Sequence, residues 1–211
     1  MLTLYITPGT CSRASHIALA ESGLDYQVSL IRFAEGEQRS PAYLKVNPKG
    51  RVPALVTDKG VLTETVALLP YIAQLVPEKN LAPLDDPFLF AKMQAFNAYL
   101  SSTVHINHAH GRRGARWADN AASHADMIAK VPQTMRDSFA LIEDGLVEGQ
   151  FVLGETFSVA DAYLFVMTGW LESDHVNMAE FPKVAAHYRR IEMRPAVQRV
   201  LAEEAAAKPA T

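Results

Sequence analysis

The sequence predicts an α+β domain over residues 1–76 and an all-helical domain over residues 88–211, joined by a linker at residues 77–87. Three observations predict this division. Short β-prone and helical runs alternate through the first part. Strand signals nearly vanish from Phe88 onward. Between them, Val76 to Pro87 holds three prolines and three acidic residues, a linker composition.

Thr3–Ile6 is apolar and β-prone, and Thr7-Pro8-Gly9-Thr10 breaks it. Ser12 to Glu21 reads as a helix closed by Ser22-Gly23, and Tyr26–Ile31 as a second strand. After a polar loop from Glu35 to Ser40, Pro41–Val46 is a short helix or turn, and Asn47-Pro48-Lys49-Gly50 a loop. Ala54–Thr57 and Val61–Leu62 flank Asp58-Lys59-Gly60, a hairpin signal. Glu64–Leu75 is helical by spacing, although Pro70 inside it predicts a late start or a kink. The order is β-α-β followed by β-β-α.

In the second part, Asp86 caps a helix with Pro87 in its first turn. Phe88, Ala91, Ala95, Tyr99 and Val104 then carry that helix past His105. Ser123–Val131 and Gln133–Val147 are expected as separate pieces around Pro132. In Phe157-Ser158-Val159-Ala160-Asp161, Ser158 can cap the N–H of Asp161, whose carboxylate can reach back. Ala162–Leu171, Lys183–Arg190 and Pro195–Ala207 complete the helices, and the end from Ala205 to Thr211 is expected to fray.

Composition narrows the function. With 211 residues, 49% of them apolar and 20% charged, the chain is expected to be globular. A net charge of −3 offers nothing to nucleic acid or an anionic membrane. Met1–Ser12 carries no secretory pattern, and apolar runs such as Ala162–Met167 are too short to span a bilayer. A lone cysteine, Cys11, excludes an internal disulfide, so a cytoplasmic location is expected. The seven histidines lack metal-ligand spacing, and His105 with His108 on one helix face has no carboxylate beside it in sequence, so no metal is expected.

Cys11 follows a strand and a Pro-Gly turn and opens a helix, where free N–H groups and the dipole favour a thiolate; Arg13 can add to that field. A thioredoxin-like β-α-β/β-β-α domain of the redox kind places a second cysteine three residues on, but here that residue is Ala14. A resolving thiol must therefore come from outside, as from a small thiol cofactor. The competing reading is a buried, inert cysteine.

Five segments in this order resemble the glutathione transferases, most of all the bacterial beta class. They are Tyr5–Ser12, Asn47-Pro48-Lys49-Gly50-Arg51-Val52-Pro53, Leu62-Thr63-Glu64-Thr65, Ser102-Thr103-Val104-His105, and Phe157 through Phe165. The resemblance implies glutathione as co-substrate and a cis Val52–Pro53 bond, so that the Val52 backbone pairs with the cysteinyl part. It implies that Glu64 and Thr65 hold the γ-glutamyl end, with Ser102 in the binding set. Thr65 stands where most relatives have Ser, and a plain helix cap is the other reading of this pair. Cys11 is implied as the sulfur's partner, assisted by the Ser12 and Tyr5 hydroxyls, and His105 as a hydrogen-bond donor or proton shuttle. A merely packed histidine at the domain boundary is the alternative. Arg32, Lys49 and Arg51 are equal candidates for the glycyl carboxylate.

The chain departs from the family pattern at Thr103, at Ile106 and throughout Asn107–Trp117, whose three arginines can hold an anion but are expected to form a solvated loop. The implied activity is conjugation of glutathione to electrophiles, as in detoxification, or thiol–disulfide exchange through Cys11, with disulfides preferred over aryl halides. Glutathione-dependent isomerisation or dehalogenation is an alternative, and so is a non-catalytic binding module. A homodimer is implied as well, with a small electrophile or disulfide as second substrate.

Overall fold

The parallel pairing of β1 (Leu2–Ile6) with β2 (Tyr26–Leu30) requires a crossover, and α1 (Ser12–Ser22) supplies it. The computed structural model describes residues 1–146 and 149–207. The other edge of β1 pairs antiparallel with β3 (Ala54–Thr57), which turns into β4 (Gly60–Thr63); the sheet order is β2-β1-β3-β4. Side chains alternate along β1. Leu4 and Ile6 enter the main core with Ile17 of α1 and with Leu68 and Ile72 of α3 (Thr65–Leu75). Tyr5 points the other way and packs on Tyr43 of α2 (Pro41–Val46), ring centroids 5.5 Å apart.

The helical part comprises α4 (Pro87–Tyr99), α5 (His105–Arg113), α6 (Ala121–Leu141), α7 (Val159–Thr168), α8 (Pro182–Glu192) and α9 (Pro195–Ala206). Every residue of α7 is buried, as befits a helix apolar all round. It packs on α1, α3, α4 and α8, so one continuous core joins the sheet to the helices. Asp161 anchors its start. One carboxylate oxygen accepts from the Ser158 N–H (2.7 Å) and hydroxyl (3.0 Å); the other accepts from Val152 N–H (2.7 Å) and His187 Nε2 (2.8 Å). Asp86 caps α4 through the N–H groups of Phe88 and Leu89.

Several expectations need correction. α3 begins at Thr65, not late, and runs through Pro70. The carbonyl that Pro70 leaves without its helical donor, that of Val66, accepts from Gln94 Nε2 of α4 at 3.4 Å. α6 is one helix through Pro132, not two pieces. Its face of Val131, Met135 and Phe139 is buried, and about 1.5–3 kcal/mol per such side chain exceeds the roughly 3 kcal/mol a proline costs. The expected end of that segment at Val147 lies outside the described residues. So does the part of the fraying end from Lys208 to Thr211. The long fourth helix does run past His105, as expected, but through a π-helical turn at Leu100–Val104. There the Ser101 and Ser102 hydroxyls both donate to the Ala98 carbonyl (3.0 and 2.8 Å), competing with the backbone donors. The stretch expected as a linker is bound to the core: Leu81 and Ala82 are buried, and the Leu81 carbonyl accepts from Val159 N–H at 2.9 Å.

Candidate active site

A cavity of about 730 Å³ opens between the sheet and the helices. Cys11, Val52 and Thr65 form one wall, and Ser102, His105 and Trp170 face them from the helical side. The Val52–Pro53 bond is cis. It follows Gly50, whose φ of +59° and close approach to the Gln38 carbonyl, 2.9 Å from where a Cβ would sit, leave room for no other residue.

Cys11 is the N-cap of α1, and its Sγ donates to the Val52 carbonyl at 3.5 Å. Burial pushes its thiol up to about 11; the Thr65 hydroxyl and the Arg113 charge pull it down by less, and Glu64 adds to the rise. The thiolate expected from the helix terminus is thus overturned by desolvation. Arg13 does not help, because its guanidinium is turned away onto Glu204 Oε2 of α9, with Nε at 2.9 Å and Nη2 at 2.7 Å. The same carboxylate oxygen accepts from Gly9 N–H at 2.9 Å, while Trp170 Nε1 donates to the Gly9 carbonyl at 3.0 Å. Both faces of the peptide backbone two residues before the cysteine are therefore held by the helical part. Burial alone would raise Glu204, but the adjacent His16 ring, 3.8 Å away, and the bonds from Arg13 and Gly9 outweigh it and hold the carboxyl below its ordinary value.

Glu64 has φ of +73°, a left-handed conformation that a glutamate adopts at a cost and that clusters at functional sites. Its side chain does not cap α3, and Thr65 is the first helical residue rather than the cap. The plain-cap reading of the pair therefore does not hold, and Thr65 and Val66, at the start of α3, line the cavity, where a helix start can take an anion. Lys49 Nζ bonds the Glu64 carboxylate and, at 2.7 Å, the Thr63 hydroxyl.

His105 and His108 both lie against the Trp170 ring, at 5.0 and 4.2 Å between centroids, and His108 Nδ1 bonds the buried Asp174 carboxylate at 2.8 Å. Burial, followed by the charges of Arg113, His108, Arg116 and Arg51, lowers His105 to about 3. At pH 7 His105 is therefore a neutral imidazole, with one N–H to donate and one nitrogen to accept.

Not every expected residue reaches the cavity. Ser12 is fully buried and braces its own turn, bonded to Thr7 (3.2 Å) and Thr10 (2.7 Å). Tyr5 is on the opposite face of the sheet, against Tyr43. Neither hydroxyl lines the space in front of Cys11. Arg32 is turned onto Glu37 at 3.0 Å, whereas Arg51 does line the cavity. The stretch expected as a solvated loop is corrected in part: Arg112, Ala115, Arg116 and Trp117 are exposed as expected, but not all of it is loop. Its first half is α5, and Arg112, Arg113 and Arg116 line the cavity opposite Arg39 and Arg51. Arg39, Arg116 and Trp170 belong to no motif and no shared helix, so nothing in the sequence singles them out; for Arg112 the signal was helical spacing counted on from His105. Among the described residues no group of three or more His, Cys, Asp and Glu side chains is placed to hold a metal ion. None of their helices is long and apolar enough to cross a membrane.

Residues 1–74 match the family model of the glutathione S-transferase N-terminal domain, and residues 115–190 that of the C-terminal domain. Glutathione S-transferase GstA of Escherichia coli O157:H7 is 32% identical over 206 residues, covering 96% of this chain and 98% of that protein. The crystal structure of a glutathione transferase homologue from Sulfitobacter with bound glutathione superimposes with a TM-score of 0.94 at 46% identity, over 96% of this chain and 98% of that one. A bacterial beta-class glutathione S-transferase from Sphingomonas chungbukensis superimposes with a TM-score of 0.84 at 32% identity, over 96% and 98% of the two chains.

Proposed function

The chain belongs to the glutathione S-transferase family, and from that premise we propose that its cavity binds glutathione and directs the tripeptide's sulfur at an electrophilic carbon. One observation carries the reading: the Cys11 sulfur, the backbone of Val52 and the uncapped start of α3 at Thr65 converge on a single cavity. The γ-glutamyl carboxylate takes the first N–H groups of α3 and the Thr65 hydroxyl, and the strained Glu64 meets the ammonium group. Val52 pairs with the cysteinyl unit, and Arg51 receives the glycyl carboxylate. This registration leaves the substrate sulfur beside Cys11.

In the reaction, the glutathione thiol loses its proton to solvent, and its sulfur forms a bond to the electrophilic carbon. The leaving group departs with its electron pair. Cys11 acts as a hydrogen-bond donor to that sulfur in place of the Val52 carbonyl. A thiol held at about 11 is ionised in roughly one molecule in ten thousand at pH 7. This favours conjugation over exchange through a Cys11 thiolate, the reverse of the preference for disulfides expected from sequence. His105, as a neutral donor facing the same space, assists the sulfur without giving up a proton. The homodimer belongs to the same proposal: Phe88 on α4 is 76% exposed and offers an apolar contact, which gel filtration against a Phe88→Ser variant tests.

The experiment is a thermal shift followed by a turnover panel. Glutathione at a hundred times its Kd is expected to stabilise the protein by about 2.7 kcal/mol, and a chloronitroarene to be conjugated. A shift without turnover on any electrophile would leave a binding module; no shift would remove the reading altogether.

A further inference from the structure

Arg39, Arg51, Arg112, Arg113 and Arg116 line one cavity, and none of the five guanidinium groups has an ion-pair or hydrogen-bond partner among the described residues. Elsewhere arginines are engaged. Arg13, Arg32, Arg136, Arg194 and Arg199 each hold a carboxylate, Arg190 holds a backbone carbonyl, and only Arg189 lacks such a partner among the described residues. The one carboxylate lining the cavity, Glu64, is already bonded by Lys49. The chain as a whole carries a net charge of −3, so this concentration of positive charge is local and runs against the molecule's own balance. The groups also feel one another. Arg113, Arg51 and Arg39 follow burial as the causes that lower Arg116, and the same cluster lowers His105. Like charges gathered at this cost in a cleft raise the local concentration of an anion.

Glutathione does not use up this charge. It brings two carboxylates and one ammonium group, and the proposed registration places one carboxylate at the start of α3 and the other at Arg51. Arg112, Arg113 and Arg116 stand on the opposite wall, beside His105, where the second substrate must enter. We propose that the second substrate is an organic electrophile bearing two anionic groups, a dicarboxylate or its equivalent, gripped by the guanidinium groups of Arg112 and Arg116. Each planar guanidinium can take a carboxylate by two parallel hydrogen bonds, which fixes the orientation of the electrophile as well as its charge. Charged and polar side chains outnumber apolar ones on this wall, which favours an anionic over a neutral aromatic electrophile. Among the described lining residues of the helical part, Ile106, Ala109 and the Tyr163 and Trp170 rings are the apolar ones, and two histidines already cover the Trp170 ring.

The inference rests on the transferase reading, and the test separates the two. Three matched electrophiles are compared: a chloronitrobenzamide, the corresponding chloronitrobenzoate and the corresponding chloronitrophthalate, with chlorine ortho to the nitro group in each. In every case the sulfur of glutathione forms the new bond to the ring carbon, chloride leaves with its electron pair, and the thiol proton passes to solvent. The kcat/KM of each, divided by its uncatalysed rate with glutathione, is expected to rise about tenfold or more per added carboxylate. That preference is expected to collapse between about 20 mM and about 500 mM salt. In an Arg112→Gln/Arg116→Gln double variant the preference is lost, mainly through KM, while the thermal shift by glutathione remains, which shows that the variant is folded. An equal rate for all three, or a preference that survives in the folded variant, overturns the inference. If that variant fails to fold, Arg116→Glu alone is read in the same way. If none of the three is turned over although glutathione still shifts the melting temperature, the transferase reading falls. The anion site is then judged by phthalate alone: a salt-sensitive shift lost in the variant supports it, and no shift overturns it.

Discussion

The lone thiol of the chain makes a direct test of its surroundings possible, because only Cys11 can be carbamidomethylated on sulfur as a thiol, and a Cys11→Ala control subtracts alkylation of nitrogen. Folding raises that thiol from its ordinary 9.0 to about 11. Two units lower the thiolate population at neutral pH about a hundredfold. A more basic thiolate is also the better nucleophile; with a Brønsted slope of about 0.45, two units return a factor of about 8. The folded protein should therefore react about tenfold more slowly than the same chain unfolded in urea. The assay is intact mass against time from about pH 6 to about pH 10, native and unfolded samples side by side. The native rate should climb tenfold per pH unit with no plateau in that range, while the unfolded rate bends near pH 9. A native plateau below about pH 9, or a native rate above the unfolded one, would refute the argument that desolvation outweighs the helix terminus, Thr65 and Arg113.

Other perturbations follow from the same geometry. Replacing Cys11 with Ala removes one donor to the reacting sulfur and should lower conjugation about tenfold or more with little change in glutathione Kd; steady-state kinetics with calorimetry separate the two. His105 sits near 3 when folded, against 6.5 unfolded, so the fold holds fewer protons and its contribution is present above pH 6.5 and lost as pH falls. At pH 5 the loss amounts to about 2 kcal/mol, visible as urea midpoints that fall less with acid in a His105→Asn variant; its proton resonances should not titrate between pH 5 and pH 8. Asp161→Ala strips four donors of a buried acceptor and should cost about 3–5 kcal/mol by denaturant unfolding. Glu204→Ala leaves Gly9 N–H and Arg13 without their acceptor; a loss of about 2–3 kcal/mol is expected, with weaker glutathione binding by calorimetry because the turn carrying Cys11 loosens.

Features set by neighbours in the chain are legible in the sequence. Asp86-Pro87, the Ser158–Asp161 reciprocal cap and the Asp58-Lys59-Gly60 hairpin each involve residues a few positions apart, and each stands where the sequence puts it. The β-α-β/β-β-α order is legible for the same reason, since it is a string of short periodic segments. The prolines mislead because their cost is local while its compensation is distant. Pro70 depends on Gln94 to take a stranded carbonyl, and Pro132 on a buried face of α6. Ser12 and Tyr5 neighbour Cys11 in the chain, yet strand alternation and the turn send both hydroxyls away from the cavity.

By itself, then, the sequence determined the order of elements, the two-part organisation expected of the chain, and the set of residues from which a glutathione site could be built. Tertiary structure alone decided which of those residues meet and what state they are in. A helix terminus acts on a cysteine through its own first turn, but desolvation sums over everything packed around the sulfur, and here the sum wins. In the same way, the sequence places Arg112 and Arg116 in a stretch that reads as a solvated loop, and only the end of α5 and the turn after it at Gly114–Arg116 bring both, still partly in water, to the rim of the cavity.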